Sequence, residues 1–204
     1  MNLSNYNLEL KRKIFHCTSI IFPTIYLFST KLNMVILLML CTGFVLSMDI
    51  SRHYNNTIQE LVDKLFTNIM RPEEISGSFK LSGVSYMFLG FFITCVLFSK
   101  GTAISAFLVL IISDSAAAIV GKHLGTPSKN GKSIEGSIAF FVTALLIGML
   151  SYTFQAYHAT FSSIVIASIA GTLVEYYSSI IKLNDNLTIP ITYGMVVSIF
   201  GLFI

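Results

Sequence analysis

Asp114 is the residue whose position most needs a chemical reason. It lies inside an apolar stretch, residues 102–121, roughly two turns from the end of that stretch. A carboxylate inside a membrane-length apolar segment is costly, and such groups face a cavity or a partner. Ser113 and Ser115 flank it and supply a purely structural alternative, a carboxylate hydrogen-bonded to serines. Asp114, Ala117, Gly121 and Gly125 follow at spacings of three, four and four, so they share one helical face. One reading of that stripe is a small-xxx-small packing seam. Another is a cavity wall where a carboxylate and bare backbone meet a ligand, with Gly121 admitting it close to the main chain. The two readings are compatible.

The segment that follows suits phosphate. Thr126, Pro127, Ser128, Lys129, Asn130 and Gly131 form a loop that leads into Lys132-Ser133-Ile134-Glu135-Gly136, the start of the next apolar segment. Ser133 can cap that helix. Free N–H groups at a helix start attract phosphate, and Lys132, Lys129 and Lys122 add positive charge. The run from Gly125 to Ser133 is not a Walker A loop. That motif needs four residues between its glycines, and five stand between Gly125 and Gly131.

Further polar residues mark the ends of other segments. Glu9, Arg12, Lys13 and His16 fall at i, i+3, i+4 and i+7 and share a helical face. Asp49 ends the second apolar segment, Glu175 sits near the end of the sixth, and Asp185 and Asn186 follow it. Singly, Glu9–Lys13 reads as a helical ion pair and Asp49 as a group solvating a helix end. Gathered on one side, carboxylates and cations suit Mg²⁺ with a polyphosphate, the acids holding the metal and Lys and Arg the phosphates. His53, His123 and His158 have no ligand spacing and read as surface residues. Cys17, Cys41 and Cys95 lie in apolar segments and read as small buried hydrophobes. No zinc motif and no Ser-His-Asp order is present.

Composition dictates what holds these groups. Of 204 residues, 54% are hydrophobic and 11% charged, against about 25% charged in an ordinary soluble domain. Mean hydropathy is +0.76. A soluble domain of this size could not hide that much apolar surface. Disorder, nucleic-acid binding, a secreted disulfide scaffold and a two-domain soluble enzyme are excluded. The expectation is an all-α integral membrane protein, because only helices satisfy their own backbone across lipid and the apolar runs are continuous rather than alternating.

Seven apolar segments can be read: 14–30, 32–50, 79–99, 102–121, 134–154, 159–180 and 187–204. They predict a single domain over 1–204, a bundle of about seven spans. The basic residues predict its orientation. With the N-terminus in the cytoplasm, every Lys and Arg lies inside except Lys31 and Lys100. No small-x-small cleavage site follows Lys11-Arg12-Lys13, so no cleavable signal peptide is expected. The loop of about 51–78 carries Ile58, Leu61, Val62, Leu65, Ile69 and Met70 at helical spacing, with Thr57 and Glu60 as a capping box. This predicts an amphipathic helix on the inner interface.

Taken together, these residues resemble the CTP-dependent lipid kinases, the group of fungal-type diacylglycerol kinase, phytol kinase and dolichol kinase. Four stretches carry the likeness: Glu9 through His16; Glu74 through Gly90, with Ser82-Gly83-Val84-Ser85-Tyr86; Asp114, Ala117, Gly121 and Gly125 followed by Lys132-Ser133-x-Glu135-Gly136; and Val174-Glu175 with Asp185 through Pro190. The third is the most specific and is associated in the family with the CTP site. The resemblance implies that Arg12, Lys13, Asp114 and Gly121 are needed for activity. Compared with dolichol kinase, the loop after Gly125 is shorter, one lysine stands where two do, and the spans are far fewer. The chain's size is closer to the phytol and diacylglycerol kinases.

The expected reaction is transfer of the terminal phosphoryl group of CTP to a lipid alcohol such as diacylglycerol, phytol or a polyprenol. The expected site lies on the cytoplasmic side of a membrane, a prokaryotic cytoplasmic membrane in preference to the endoplasmic reticulum. Asp114, Glu135 and Glu175 are the expected Mg²⁺ ligands, and Arg12, Lys13 and Lys132 the phosphate-neutralising cations. Gly121, Gly125, Ser133 and Gly136 supply room and N–H donors. Asp114 and Glu175 are both candidates for general base. A phosphatidate cytidylyltransferase also uses CTP in a membrane, but its Pro-Gly-His-Gly-Gly and Asp-Arg-x-x-Asp signatures do not occur here. A small transporter using Asp114 as a cation site would need polar residues through the outer half of the bundle, which reads as apolar.

Overall fold

A computed structural model of the chain describes residues 3–66, 80–126, 131–153 and 159–201, with only the backbone of 3–10, 63, 65 and 66. Among the described residues every regular element is helical. In chain order they are α1 (Leu3–Thr18), α2 (Ile21–Phe28), α3 (Lys31–Tyr54), α4 (Asn56–Phe66), α5 (Gly83–Leu97), α6 (Lys100–His123), α7 (Ile134–Thr153), α8 (Phe161–Ile181) and α9 (Asp185–Gly201). Each of the seven apolar segments is helical over most of its described residues. Four helices, α3, α6, α7 and α8, are long and apolar enough to cross a membrane. This supports four of the seven expected spans by length. α5 is apolar but has 15 residues, and the first expected span is two helices.

Local sequence explains where these helices start. Most of them begin at a side chain that accepts an otherwise orphaned N–H. Thr30 accepts from Asn33 N, Ser82 from Ser85 N, Ser99 from Thr102 N and Ser133 from Gly136 N. Thr160 and Ser163 cap each other reciprocally at α8. The expected Thr57–Glu60 capping box is replaced at α4 by Asn55, whose Oδ1 accepts from Thr57 N at 2.9 Å. Asn is among the best N-caps, and it stands two residues earlier. Within α4, Val62 is buried and Leu61 exposed; Ile69 and Met70 of the expected amphipathic stripe lie outside the described residues.

The break between α1 and α2 has a covalent cause. Pro23 has no N–H to offer the Ser19 carbonyl four residues back, and its ring crowds that carbonyl. Phe22 N takes the Ser19 oxygen instead at 3.0 Å. α2 is held by Phe22, edge-on to Phe88 at 5.1 Å, and by Tyr26 against Phe107.

α6 is the most buried of the four long helices. It packs against α1, α2, α5, α7 and α9, while α8 bridges α7 and α9, and α3 lies outside α5. The core is one cluster in which Phe91 and Phe107 stack at 4.2 Å beside Leu110, Phe140 and Tyr193. The outer surface carries exposed Phe28, Leu32, Phe44, Leu146 and Phe161. A water-facing surface rarely tolerates so much apolar area, whereas lipid does.

α6 is also irregular. Residues Val109–Ser113 form a π-helical turn immediately before Asp114. Such turns carry one extra residue within an α-helix and are frequent at functional sites.

The two lysines expected outside do share one end of the bundle. Lys31 Nζ donates to the Phe98 carbonyl at 2.8 Å, and Lys100 Nζ to Leu27 and Ser29 carbonyls at 3.0 and 2.8 Å. Cations at helix C-termini satisfy the last carbonyls. Asp49 and Arg52 lie at the other end of α3 from Lys31, and Lys122 at the other end of α6 from Lys100.

Candidate active site

Asp114 is 2% exposed, and its carboxylate accepts a hydrogen bond from the Lys13 ammonium in a buried ion pair. Lys13 reaches it from α1, which packs on the C-terminal half of α6. His16, one turn further along α1, is buried beside the pair. Cys17 Sγ lies 3.4 Å from Ser115 Oγ, and Ser115 donates to the Ile111 carbonyl at 2.6 Å. Ser115 donates to Ile111 and Ser113 Oγ has no hydrogen-bond partner among the described residues, so the ammonium takes the place that the structural alternative gave to serines.

A second cation meets two acids on the same side. Lys132 Nζ donates to Glu175 Oε1 at 2.5 Å and to Asp185 Oδ2 at 3.3 Å. Burial works against the charged lysine, but Asp185, Asp114 and Glu175 outweigh it and hold its pKa above the ordinary 10.5. Asp114 also interacts electrostatically with His16 and Lys132. α1, α6, the residue pair before α7, α8 and α9 thus each contribute to one charged network.

The small residues explain how α6 and α7 come close enough for this. A Cβ on Gly136 would lie 2.7 Å from the Ala117 carbonyl, and one on Gly121 would lie 2.8 Å from Ser133 Oγ. A Cβ on Gly125 would also collide with Ser133. The stripe is therefore a packing seam, and Ser133 and Gly136 fill the space in front of Gly121. Ser133 Oγ caps α7 by accepting from Gly136 N at 3.0 Å.

Arg12 and Glu135 are both half-buried. Lys129 and Glu74 lie outside the described residues, and of Glu9 only the backbone is described. Sequence reasoning undervalued Asp49. It is buried, pairs with Arg52 at 3.2 Å, and accepts from Ser82 N at 2.7 Å and Ser85 Oγ at 2.5 Å. It fixes the start of α5 instead of solvating a helix end. Asn186 Nδ2 donates to the Gly83 carbonyl at 2.9 Å, which ties that start to α9 beside Asp185. Pro190 and the Asn186 carbonyl approach α5 where Gly90 leaves room; a Cβ there would lie 2.6 Å from that oxygen. The spacing of Asp49 and Arg52 at i, i+3 was the available signal.

Among the described residues no three His, Cys, Asp or Glu side chains are grouped closely enough to hold a metal by themselves. Two buried carboxylate oxygens, Glu135 Oε2 and Glu175 Oε2, have no hydrogen-bond partner among the described residues. Mg²⁺ binds through one or two carboxylates together with water and substrate phosphates. Uncommitted acid oxygens in a site that also holds buried lysines fit that mode, and a closed protein cage is not required.

Three known proteins are similar to this chain. CTP-dependent diacylglycerol kinase 1 of Saccharomyces cerevisiae is 29% identical over 207 residues, covering 90% of this chain and 70% of its own. The uncharacterized protein MJ1137 of Methanocaldococcus jannaschii is 25% identical over 177 residues, covering 86% of this chain and 84% of its own. The uncharacterized protein RP860 of Rickettsia prowazekii is 45% identical over 200 residues, covering 98% of each chain. No family model matches, and no solved structure matches. At that identity and coverage the chain belongs to the same family as RP860.

Proposed function

We propose that the protein is a CTP-dependent lipid kinase of a prokaryotic cytoplasmic membrane, working at its cytoplasmic face. One observation carries the reading. Four residues singled out for phosphoryl transfer, Lys13, Asp114, Lys132 and Glu175, meet in one buried charged network although they come from four separate parts of the chain. The similarity to the yeast diacylglycerol kinase supports the same chemistry.

Phosphoryl transfer asks a protein for positioning and charge neutralisation. In this reading Lys13 and Lys132 keep their carboxylate partners and turn their remaining N–H donors to phosphate oxygens, and Arg12, the neighbour of Lys13, adds positive charge. Gly121, Gly125 and Gly136 act by letting α6 and α7 touch, which sets Lys132 opposite Asp114. Ser133, Gly136 and the start of α7 lie where the triphosphate arrives. Of the expected ligands Asp114, Glu135 and Glu175, the last two keep an uncommitted oxygen and would hold Mg²⁺ together with the substrate phosphates, where it would neutralise charge on the transferred group. The alcohol oxygen bonds to the terminal phosphorus as CDP leaves. A transport route has less support: between Asp114 and the end that carries Lys31 and Lys100 the core is apolar and aromatic, with Phe91 stacked on Phe107.

The experiment is direct. Purified protein in lipid micelles receives CTP or ATP labelled on the terminal phosphate, with diacylglycerol, phytol or a polyprenol. Label should move from CTP to one alcohol. Absence of lipid-bound label, or formation of CDP-diacylglycerol from phosphatidate, would reject the proposal.

A further inference from the structure

We infer that His16 is the proton acceptor for the lipid alcohol, an inference that rests on the kinase reading. His16 is 9% exposed, and its Nε2 has no hydrogen-bond partner among the described residues. A buried ring nitrogen without a partner is costly unless something else reaches it. The groups first considered for the base are already engaged. Asp114 accepts from Lys13; Glu175 accepts from Lys132 at Oε1, and its uncommitted Oε2 is the oxygen given to Mg²⁺ in that reading. A carboxylate held by an ammonium is a weakened proton acceptor. A ring nitrogen with no donor on it is not weakened in that way.

Position supports the same choice. Lys13 meets Asp114, whereas His16 lies against the backbone carbonyl of Leu110, in the π turn and four residues further from the charged mouth. The three residues from Lys13 to His16 carry it about 4.5 Å deeper. The site is therefore layered. Lys132, Glu175 and Asp185 face the side from which a soluble nucleotide arrives. His16 faces the depth from which a membrane alcohol arrives. The charged groups around His16 are Lys13 of its own helix, Asp114 of α6 and Asp185 of α9.

The step balances as follows. The alcohol oxygen forms a bond to the terminal phosphorus of CTP. The bond from that phosphorus to the bridging oxygen breaks, and its electron pair leaves with CDP. The hydroxyl proton moves to His16 Nε2 and is later released to water.

His16→Asn and His16→Gln keep a polar group of similar bulk but cannot hold that proton. In each, kcat should fall about 100-fold or more, with KM for CTP and the melting temperature unchanged. Retention of more than a third of kcat in a folded variant would overturn the assignment, as would a rise in KM for CTP with kcat preserved. Should both variants fail to fold, ¹⁵N-histidine spectra of the intact protein decide. Adding the accepted alcohol should shift the His16 Nε2 resonance, and an unmoved resonance refutes the contact. Wild-type protein run in parallel separates the two ideas. An inactive wild type rejects the kinase reading, whereas an active wild type with an active variant rejects only His16.

Discussion

Lys13 of α1 and Asp114 of α6 form a buried ion pair across 101 positions of sequence. Removing one partner from such a pair costs about 3–5 kcal/mol, because the other charge is left uncompensated, whereas replacing both with apolar groups can be neutral. Asp114→Ala should therefore abolish transfer and lower the melting temperature while the protein still inserts. The double variant Lys13→Met with Asp114→Leu should recover the melting temperature and remain inactive. Activity in either variant would contradict the role given to Asp114.

Lys132 allows a test against pH. Its pKa is raised above 10.5 in the folded protein, after burial is outweighed by Asp185, Asp114 and Glu175. A raised pKa contributes stability that is fully present below the unfolded value and is lost as pH climbs through the folded one. The melting-temperature difference between wild type and Lys132→Gln should thus stay flat from about pH 6 to about pH 10 and shrink only above that. A difference that disappears near neutrality would show that the lysine is not held by its acids.

The α6–α7 seam separates close packing from mere glycine content. Gly136→Ala places a methyl 2.7 Å from the Ala117 carbonyl. Overpacking of this kind costs about 1–3 kcal/mol and would push Lys132 away from Asp114, so both stability and kcat should drop. Gly43→Ala is the control, since a Cβ there meets nothing within 4 Å. Thermal unfolding and turnover of the pair decide the point: equal behaviour would refute the seam.

Cys17 offers a covalent probe of α1. Its Sγ lies 3.4 Å from Ser115 Oγ. In Ser115→Cys, mild oxidation with copper phenanthroline should join the two sulfurs, and a reductant should release them. Mass spectrometry of the linked peptide checks the contact, and its absence would mean that α1 does not dock on α6 as described.

Much of this was legible in sequence because apolar runs and one-face periodicity are local. The seven segments, the Asp114–Gly125 stripe and the Ser133 cap follow from spacing alone. Partners across helices do not. Glu175 and Asp185 stand 43 and 53 positions from Lys132, and nothing in local periodicity pairs them with it. Asp49 was misjudged for the same reason, since its serines come from α5. The π turn left no compositional trace: Val109 to Ser113 is an ordinary apolar run ending in serine. The break at Ser19 could have been read from Pro23, but the continuous hydrophobicity of 14–30 hid it.

Pro23 has a mechanical consequence. It removes one backbone bond from the junction of α1 and α2, while α2 is anchored by its aromatic contacts to α5 and α6. Asp114 is sealed beneath α1, so under the proposed kinase reading two large reactants would be admitted by a swing of that one short lever, without dilation of the whole bundle. Under the same reading, stiffer lipid around that lever would slow turnover with the chemistry untouched.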